Sequence, residues 1–371
     1  MTTGQDGLTG EVHTPFYCLH PFFGYVCRPN ALLDFSDTVP AWFGHGAKAQ
    51  IGPDGFRNVD RLERKAPNEV WIGILGGSVA FASASTANAT TISGYLEQEL
   101  QRLGAGRGRR IRVWNLALPA AQQPQQAVIL LTHARDLDGV ITFDGVNEAV
   151  IGPYFNKGHV PDHFPFLPIY QLLYGHSMTA RHAALVCAIE DAEKWADGSS
   201  LVRRLWIERV ARRQIARWRE RLRSEAQPGN DFASLFTAAE HADIEAWVGS
   251  GVQRWHDLIV TMQAIAHAHG IDSSFVLQPV PERDKPLTAH EREAVDAFPD
   301  MVALRKRAYP VLSDAVRRLV ARGIDSVDFS GVFTGVADTI YTDHIHFEDR
   351  GCAIVARRLA SHIGASWKCL A

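Results

Sequence analysis

Residues 70–80 read VWIGILGGSVA, an apolar run that ends in Gly76, Gly77 and Ser78. A continuous apolar run of this length is typical of a strand that is buried on both faces of a parallel sheet. The two glycines permit a tight turn and the close approach of another backbone. Because open α/β sheets bind ligands beyond the carboxyl ends of their strands, this stretch predicts a parallel sheet with Ser78 at its ligand-binding edge.

Four further apolar runs predict strands of the same sheet. Together with Val70–Leu75, the predicted strands are Ile111–Leu118, Gly139–Phe143, Ser274–Val280 and Ser326–Phe329. Helical patterns separate or follow the strands, and they cover Thr90–Leu103, Gln125–Arg135, Ile244–His269, Met301–Arg322 and Arg350–His362. Strands that alternate with helices predict an α/β protein whose parallel sheet is covered by helices on both faces.

Two segments fall outside this alternation. Residues 1–66 are rich in proline, glycine and aromatic residues and look irregular, so we expect an N-terminal extension that wraps the core. Residues 67–371 then form the main α/β domain. The third and fourth strands are separated by far more chain than one crossover needs, which predicts a helical and aromatic insertion at about residues 152–243.

The composition limits the classes of function that need to be considered. The chain has 371 residues, of which 46% are hydrophobic and 21% charged, and its net charge is −3. This near-neutral balance gives no reason to expect nucleic acid as a partner. No apolar stretch reaches the roughly 18 residues of a membrane span, and the polar residues 1–10 do not resemble a signal peptide. The five cysteines are few and unpatterned, so we expect reduced thiols in a cytoplasmic protein.

Three residues suit nucleophilic catalysis. Ser78 is the candidate nucleophile, and a serine hydroxyl needs a base within hydrogen-bond reach. His346 is the candidate base, and Asp343, three residues earlier, can orient its imidazole. His344 is the competing histidine, but its one-residue spacing from Asp343 suits this arrangement less well.

An attacking serine also needs hydrogen-bond donors for the oxyanion that develops on the substrate. Asn147 follows the third strand and offers a side-chain amide, while the loop 115–120 after the second strand can offer a backbone N–H. The Ser78 N–H is a third donor. Each of these residues by itself is more simply explained as a turn former, a helix cap or a surface histidine. Their occurrence together, each where a strand ends or in the last loop, favours a catalytic function.

In this order the motifs resemble those of the SGNH hydrolases, also called GDSL-type esterases and lipases. The resemblance covers about residues 67–365 apart from the insertion, and its motifs are Gly76-Gly77-Ser78, Asn115–Ala120, Gly145-Val146-Asn147-Glu148 and Asp343-His344-Ile345-His346. It implies a flavodoxin-like three-layer α/β/α sandwich with a five-stranded parallel sheet. It also implies an oxyanion hole formed by Ser78, Ala120 and Asn147. The stretches 20–25 and 54–57 resemble those of bacterial members that are associated with polysaccharide or metabolite acylation.

The chain departs from the family pattern at three positions. Gly77 and Glu148 each stand where the family usually has aspartate, and Ala120 stands where it has a glycine. The Ala120 N–H is retained, but a Cβ occupies a position where a glycine can adopt a positive φ. We expect the substrate pocket to include Gly77, Val79, Glu148, Tyr154, Phe155 and His344.

These features predict a serine esterase that hydrolyses a short-chain, acetyl-like ester of a carbohydrate-like or metabolite alcohol. Ser78, His346 and Asp343 form its catalytic triad, and no metal or organic cofactor is required. Two alternatives stay open at this point. One is an O-acyltransferase in which a substrate alcohol replaces water, and the other is a binding protein of the same fold.

The predicted insertion carries three further features. The basic segment 201–223 is interpreted either as a solvated helix or subunit contact, or as a binding site for an acidic partner. The aromatic residues between positions 154 and 174 either contact a sugar or an acyl chain or form the insertion's own core. His159, Asp162 and His163 are too few for a metal site at this spacing and are interpreted as part of a loop at the pocket rim.

Overall fold

The computed structural model describes residues 16–34, 46–60, 65–152, 166, 169 and 244–371. Pro15–Lys157, Asp162–Phe166 and Glu240–Ala371 form one compact unit, which contains all of the residues discussed below. The remaining residues form a second compact unit. The predicted insertion at about 152–243, with its basic segment 201–223 and most of its aromatic residues, therefore lies almost wholly outside the described residues.

Two small antiparallel sheets come first in the chain. Strand β1 (Tyr17–His20) pairs with β2 (Gly24–Cys27), and β3 (Leu32–Asp34) pairs with β4 (Lys48–Gln50). The expectation that residues 1–66 are irregular is therefore wrong for these stretches. Strands of three or four residues are too short to display an alternating pattern, which is why the sequence did not indicate them.

The central sheet contains five parallel strands, as predicted. They are β5 (Glu69–Gly76), β6 (Arg110–Asn115), β7 (Gly139–Asp144), β8 (Asp272–Leu277) and β9 (Ser326–Asp328). Their order across the sheet is β6-β5-β7-β8-β9, and every neighbouring pair is parallel. The predictions for β6 and β8 ran too far, to residues 118 and 280. The apolar pattern there continues into buried loop, because Leu116 and Leu118 are fully buried although the strand has ended.

Helices cover both faces of the sheet. They are α1 (Ser78–Phe81), α2 (Ile92–Arg102), α3 (Gln125–His133), α4 (Val146–Val150), α5 (Ile244–His269), α6 (Pro281–Asp284), α7 (Ala289–Asp296), α8 (Pro299–Ala321) and α9 (Asp349–Ile363). Helices α2 and α9 pack together, while α3 and α8 both pack against α5. The five long helices lie within two residues of their predicted bounds. Among the described residues, no helix is long and apolar enough to cross a membrane.

The strand order places the candidate site. Numbered along the chain, the strands of the central sheet run second-first-third-fourth-fifth, so the order reverses between β5 and β7. A crevice forms beyond the carboxyl ends of the strands at such a switch point, and ligands of open α/β sheets bind there. Ser78 begins the helix that follows β5, and Asn147 lies in the helix that follows β7. The two residues therefore flank the crevice.

Two glycines allow β5 and β7 to meet closely at this edge. Gly76 has φ +150°, and a Cβ added there would lie 2.3 Å from the carbonyl oxygen of Phe143 in β7. A Cβ on Gly77 would lie 2.2 Å from the Asn147 side-chain nitrogen. At Gly76 a side chain would overlap the backbone of β7, so only glycine permits this approach of the two backbones, and at Gly77 a side chain would displace the Asn147 amide.

We expect Gly76→Ala to lower the free energy of unfolding by about 3 kcal/mol or more, because steric overlap with strand β7 adds to backbone strain. The matched control is Gly323→Ala. Gly323 has φ +75°, and no atom lies within 4 Å of a Cβ added there. Gly323→Ala therefore measures the cost of backbone strain without steric overlap. That strain is about 1–2 kcal/mol. Urea unfolding of both variants measures the difference, and equal losses would contradict the overlap with Phe143.

Candidate active site

Ser78 is held at the amino terminus of the short helix α1, directly beyond β5. Its Oγ lies 2.7 Å from Nε2 of His346. The carbonyl of Ser78 accepts hydrogen bonds from the backbone N–H and the hydroxyl of Ser83, at 3.0 and 3.1 Å. The carboxyl end of α1 is fixed by Arg57, whose guanidinium donates to the carbonyls of Phe81 and Ala82 at 3.2 and 2.5 Å. Hydrogen bonds at both ends of α1 thus hold the helix that positions the Ser78 hydroxyl.

His346 and Asp343 lie in the loop between β9 and α9. Nδ1 of His346 is 2.7 Å from Oδ2 of Asp343. The other carboxylate oxygen accepts the backbone N–H groups of Ile345 and His346 at 2.8 and 2.7 Å. Burial by itself raises the pKa of Asp343, but the neighbouring His346 and these hydrogen bonds outweigh burial and lower that pKa on balance. The carboxylate is therefore ionised at neutral pH and orients the imidazole.

His344 has a different environment. Its Nδ1 is 3.9 Å from Oδ1 of Asp343 and has no hydrogen-bond partner among the described residues. Its ring packs on Phe298, with 4.1 Å between the ring centroids. Burial lowers the pKa of His344 to about 4, so the ring is neutral at pH 7. The structure thus places His346, rather than His344, within hydrogen-bond distance of both Ser78 and Asp343.

A buried ion pair anchors the loop that carries Asp343 and His346. The Lys285 ammonium donates to both carboxylate oxygens of Glu291 at 2.8 and 2.6 Å, and to the carbonyl of Asp338 at 2.7 Å. Glu291 also accepts the backbone N–H groups of Ile340 and Tyr341 at 2.8 and 3.1 Å. Both charged side chains are fully buried. The pair therefore holds the loop at residues 338–341, and the last of these is two positions before Asp343.

The three predicted oxyanion donors belong to residues that line one cavity, namely Ser78, Ala120 and Asn147. The Asn147 Nδ2 donates one hydrogen bond to the carbonyl of Ala121 at 2.7 Å, and the primary amide keeps a second N–H. Among the described residues, the backbone N–H groups of Ser78 and Ala120 have no acceptor. Ala120 has φ +60°, the conformation that its glycine-like position in the sequence suggested. The residues on either side of Ala120 are held by hydrogen bonds, because the Pro119 carbonyl accepts the Tyr25 hydroxyl at 2.6 Å and the Ala121 carbonyl accepts the Asn147 amide.

A cavity of ≈ 200 Å³ opens beside Ser78. Its described lining contains all the candidate catalytic and oxyanion residues except Asp343, and also Val79 and His344 of the expected pocket. The other described lining residues are Val146, Val150, Ile151, Phe166, Gln278, Phe298, Met301, Arg305 and Ile345. Gly77 and Glu148 are not among the lining residues. Tyr154 and Phe155 lie outside the described residues.

Glu148 is buried beneath the site rather than in the cavity wall. Its two carboxylate oxygens accept the backbone N–H groups of Gln123 and Gly145, each at 3.0 Å. Burial raises the pKa of Glu148 and that of its neighbour Asp144. Glu148 thus joins the loop after β6 to the turn after β7, and both segments carry oxyanion donors.

Sequence reasoning did not identify the polar cavity residues Gln278 and Arg305. Gln278 was assigned to a strand that in fact ends at Leu277. Arg305 was assigned to α8 without a role. It lies on the buried stripe of that helix with Met301, Ala308 and Leu312. A charged residue on a buried stripe is the signal that could have identified it.

No protein-family model matches the chain, and no curated protein matches it. The chain is similar to several solved structures. A lipolytic protein of the G-D-S-L family from Desulfitobacterium hafniense is 11% identical, with 79% of this chain and 99% of that chain covered and a TM-score of 0.37. The lipase/acylhydrolase from Enterococcus faecalis is 12% identical, with 81% of this chain and 97% of that chain covered and a TM-score of 0.40.

An acetylxylan esterase from Geobacillus stearothermophilus, solved as a catalytic mutant, is a third similar structure. It is 10% identical to this chain, with 80% of this chain and 95% of that chain covered and a TM-score of 0.36. At this level of similarity, the activity of this chain has to be inferred from its own residues.

We expect Ala120→Gly to raise the free energy of unfolding by about 0.5–1 kcal/mol, because relief of a strained φ exceeds the added chain entropy of glycine. Turnover of a short-chain ester should be retained, since the backbone N–H is unchanged. Urea unfolding and a steady-state assay measure the two effects. The matched control is Ala121→Gly, whose residue lacks a positive φ and should lose stability. Destabilisation by Ala120→Gly would contradict the strain.

We expect Glu291→Gln to lower the free energy of unfolding at pH 7 by about 3–5 kcal/mol, because Lys285 is left buried without its counterion. The hydrogen bonds from Lys285 and from backbone N–H groups outweigh burial and lower the pKa of Glu291 to about 2. Its stabilising effect is therefore complete above its ordinary pKa near 4.5 and is lost as the pH falls towards 2. The difference between variant and wild type should narrow over that range.

The matched control for Glu291→Gln is Asp338→Asn. Asp338 lies in the same loop, and its carboxylate forms an ion pair with Arg350 of α9, but both side chains are more than half exposed. An exposed pair contributes only about 0–1 kcal/mol. Urea unfolding at pH 7 and below measures both variants. If Asp338→Asn were as destabilising as Glu291→Gln, burial of the Lys285–Glu291 pair would not be the cause.

Proposed function

We propose that the chain is a serine esterase that hydrolyses short-chain acyl esters. The proposal rests on a chain of two hydrogen bonds. One joins Ser78 Oγ to His346 Nε2, the other joins His346 Nδ1 to Asp343 Oδ2, and each distance is 2.7 Å. These hydrogen bonds lie beside a cavity that is also lined by Ala120 and Asn147. A hydroxyl, a base and an orienting carboxylate in this geometry have the arrangement required for nucleophilic acyl transfer.

The reaction follows from this arrangement. Ser78 Oγ attacks the acyl carbon while His346 Nε2 accepts the hydroxyl proton, and Asp343 stabilises the imidazolium that forms. The tetrahedral intermediate collapses as His346 protonates the departing alkoxide, which leaves an acyl group on Ser78. Water then attacks the acyl carbon while His346 accepts a proton from it. The bond between the acyl carbon and Ser78 Oγ breaks, His346 returns the proton to Oγ, and the acid is released.

The oxyanion is assigned to the N–H groups of Ser78 and Ala120 and to the free N–H of the Asn147 amide. The close approach of β5 and β7 at Gly77 brings the Asn147 amide beside Ser78. Preorganised donors of this kind stabilise charge in the transition state without reorganising during the reaction. Their positions are fixed by contacts to Ala121, Tyr25 and Glu148.

The size of the cavity supports a short acyl group. The cavity of ≈ 200 Å³ beside Ser78 has room for an acyl group of a few carbon atoms. The alcohol is proposed to be carbohydrate-like or a metabolite alcohol, as the sequence resemblance implies, and no cofactor takes part in the proposed steps.

We expect Ser78→Ala to lower kcat for p-nitrophenyl acetate by a factor on the order of 10³ or more, with an unchanged fold, because the nucleophile is removed. Intact-mass analysis after treatment with a fluorophosphonate should show one adduct on the wild type and none on Ser78→Ala. His346→Ala should be nearly as damaging, since the two residues act as a unit. Absence of both turnover and labelling in the wild type would favour the binding-protein alternative and refute the proposal.

We expect Asn147→Ala to lower kcat by roughly 10²–10³, because one oxyanion donor is lost. KM should change much less, since the donor acts mainly on the transition state. Asn68→Ala is the matched control, because Asn68 is exposed and precedes β5 at the opposite end of that strand. Steady-state kinetics on one short-chain ester compares the two. Near wild-type turnover by Asn147→Ala would show that the oxyanion is stabilised by other groups.

A further inference from the structure

Three polar side chains in the cavity wall take no part in the proposed catalytic steps. They are Gln278, Arg305 and His344, which are only 1–3% exposed. Each has a buried polar atom without a hydrogen-bond partner among the described residues, namely Nε2 of Gln278, Nη1 of Arg305 and Nδ1 of His344. Buried polar groups are nearly always hydrogen-bonded, so three such atoms around one cavity indicate that a ligand completes them.

Arg305 is held in place by a buried ion pair. Its Nε and Nη2 donate to the two carboxylate oxygens of Glu282 at 2.6 and 3.1 Å. Both side chains are almost fully buried. This two-point contact fixes the plane of the guanidinium, so the remaining Nη1 is a donor of fixed position.

Gln278 is fixed through its backbone. Its N–H donates to the Asp144 carbonyl at 2.9 Å, and its own carbonyl accepts the Tyr309 hydroxyl at 2.8 Å. Gln278 and Arg305 line the same cavity, and each keeps one N–H donor without an acceptor among the described residues. An oxygen atom of a ligand in this cavity could accept hydrogen bonds from these donors.

The charges around the cavity favour a neutral ligand group over an anion. The charge of Arg305 is already offset by Glu282, and the low pKa of His344 leaves that ring neutral at pH 7. The ionised Asp343 adds a negative charge behind His346. A carboxylate entering the cavity would therefore lose its hydration without meeting an unpaired cation. A hydroxyl or carbonyl oxygen can accept hydrogen bonds there without that penalty.

We propose that this wall selects acyl groups that carry a neutral oxygen, such as a hydroxyacyl or oxoacyl group, over plain alkanoyl groups of the same length. This inference rests on the proposed esterase function and specifies its substrate. Gln278 and Arg305 are the specificity-determining residues, and Met301 and Phe298 supply the apolar part of the same wall.

The test compares three esters with the same leaving group: p-nitrophenyl butyrate, 3-hydroxybutyrate and succinate. We expect kcat/KM of the wild type to be at least about 10-fold higher for the hydroxybutyrate than for the butyrate, as sites built to bind an oxygen disfavour analogues that lack it. The succinate should not be preferred to the butyrate. Gln278→Met keeps the side-chain length but removes the donor, and should lower the hydroxybutyrate-to-butyrate ratio about 3- to 10-fold.

Two further variants separate a change in substrate preference from a general loss of folded enzyme. Gln98→Met introduces the same chemical change at an exposed position on α2 and should leave the ratio unchanged. The double variant Arg305→Met/Glu282→Gln removes the Nη1 donor without leaving an unpaired buried charge, and should also lower the ratio.

The outcomes separate the inference from the proposed function. A wild-type ratio of one or below, or a ratio that neither Gln278→Met nor the double variant lowers, overturns the inference while ester hydrolysis stands. A preference for the succinate overturns it in favour of an anion-binding wall. If no ester is hydrolysed and no fluorophosphonate adduct forms at Ser78, the proposed function fails, and the inference fails with it.

Discussion

The close approach of strand β7 to the Gly76–Gly77 turn is the constraint on which the candidate site depends. A Cβ at Gly76 would push β5 away from Phe143 of β7, and a Cβ at Gly77 would displace the Asn147 amide. Ser78 and Asn147 begin or lie in the short helices that directly follow the adjacent strands β5 and β7, so the spacing of those strands sets how far apart the two residues lie. Groups that stabilise a transition state must be held within a fraction of an ångström, and a sheet edge provides that precision.

The acid–base pair reaches this edge from the far end of the chain. Ser78 and His346 are 268 positions apart, and the loop between β9 and α9 that carries His346 has little regular structure. The buried Lys285–Glu291 pair supplies the order that the loop lacks, because it binds main-chain atoms of Asp338, Ile340 and Tyr341. Buried ion pairs are poor sources of net stability but can fix one conformation among several. Here the conformation fixed is the one that directs His346 towards Ser78.

Much of the architecture could be predicted from the sequence, because buried parallel strands and long amphipathic helices leave strong patterns. The sequence also placed Ser78, Asn147, Asp343 and His346 at strand ends or in the last loop, and the structure brings their side chains to one edge. The polar wall could not be predicted. Arg305 contacts Glu282 across 23 positions, and Gln278 faces the cavity only because β8 ends one residue earlier. Such contacts depend on tertiary packing, which a local pattern does not record.

Arg57 ties the strands that come first in the chain to the helix that begins with Ser78. Its guanidinium donates to the carbonyls of Lys48, Phe81, Ala82 and Ser85, and burial lowers its pKa to about 10. The Arg57 guanidinium therefore donates the hydrogen bonds that water would otherwise supply to the carbonyls at the carboxyl end of α1. Arg57 thus joins the small strand β4, through Lys48, to helix α1 beyond the central sheet. The segment around Arg57 is thus a structural part of the unit that carries the candidate site. Replacing this segment with that of a related protein would have to keep the arginine together with the carbonyls that it binds.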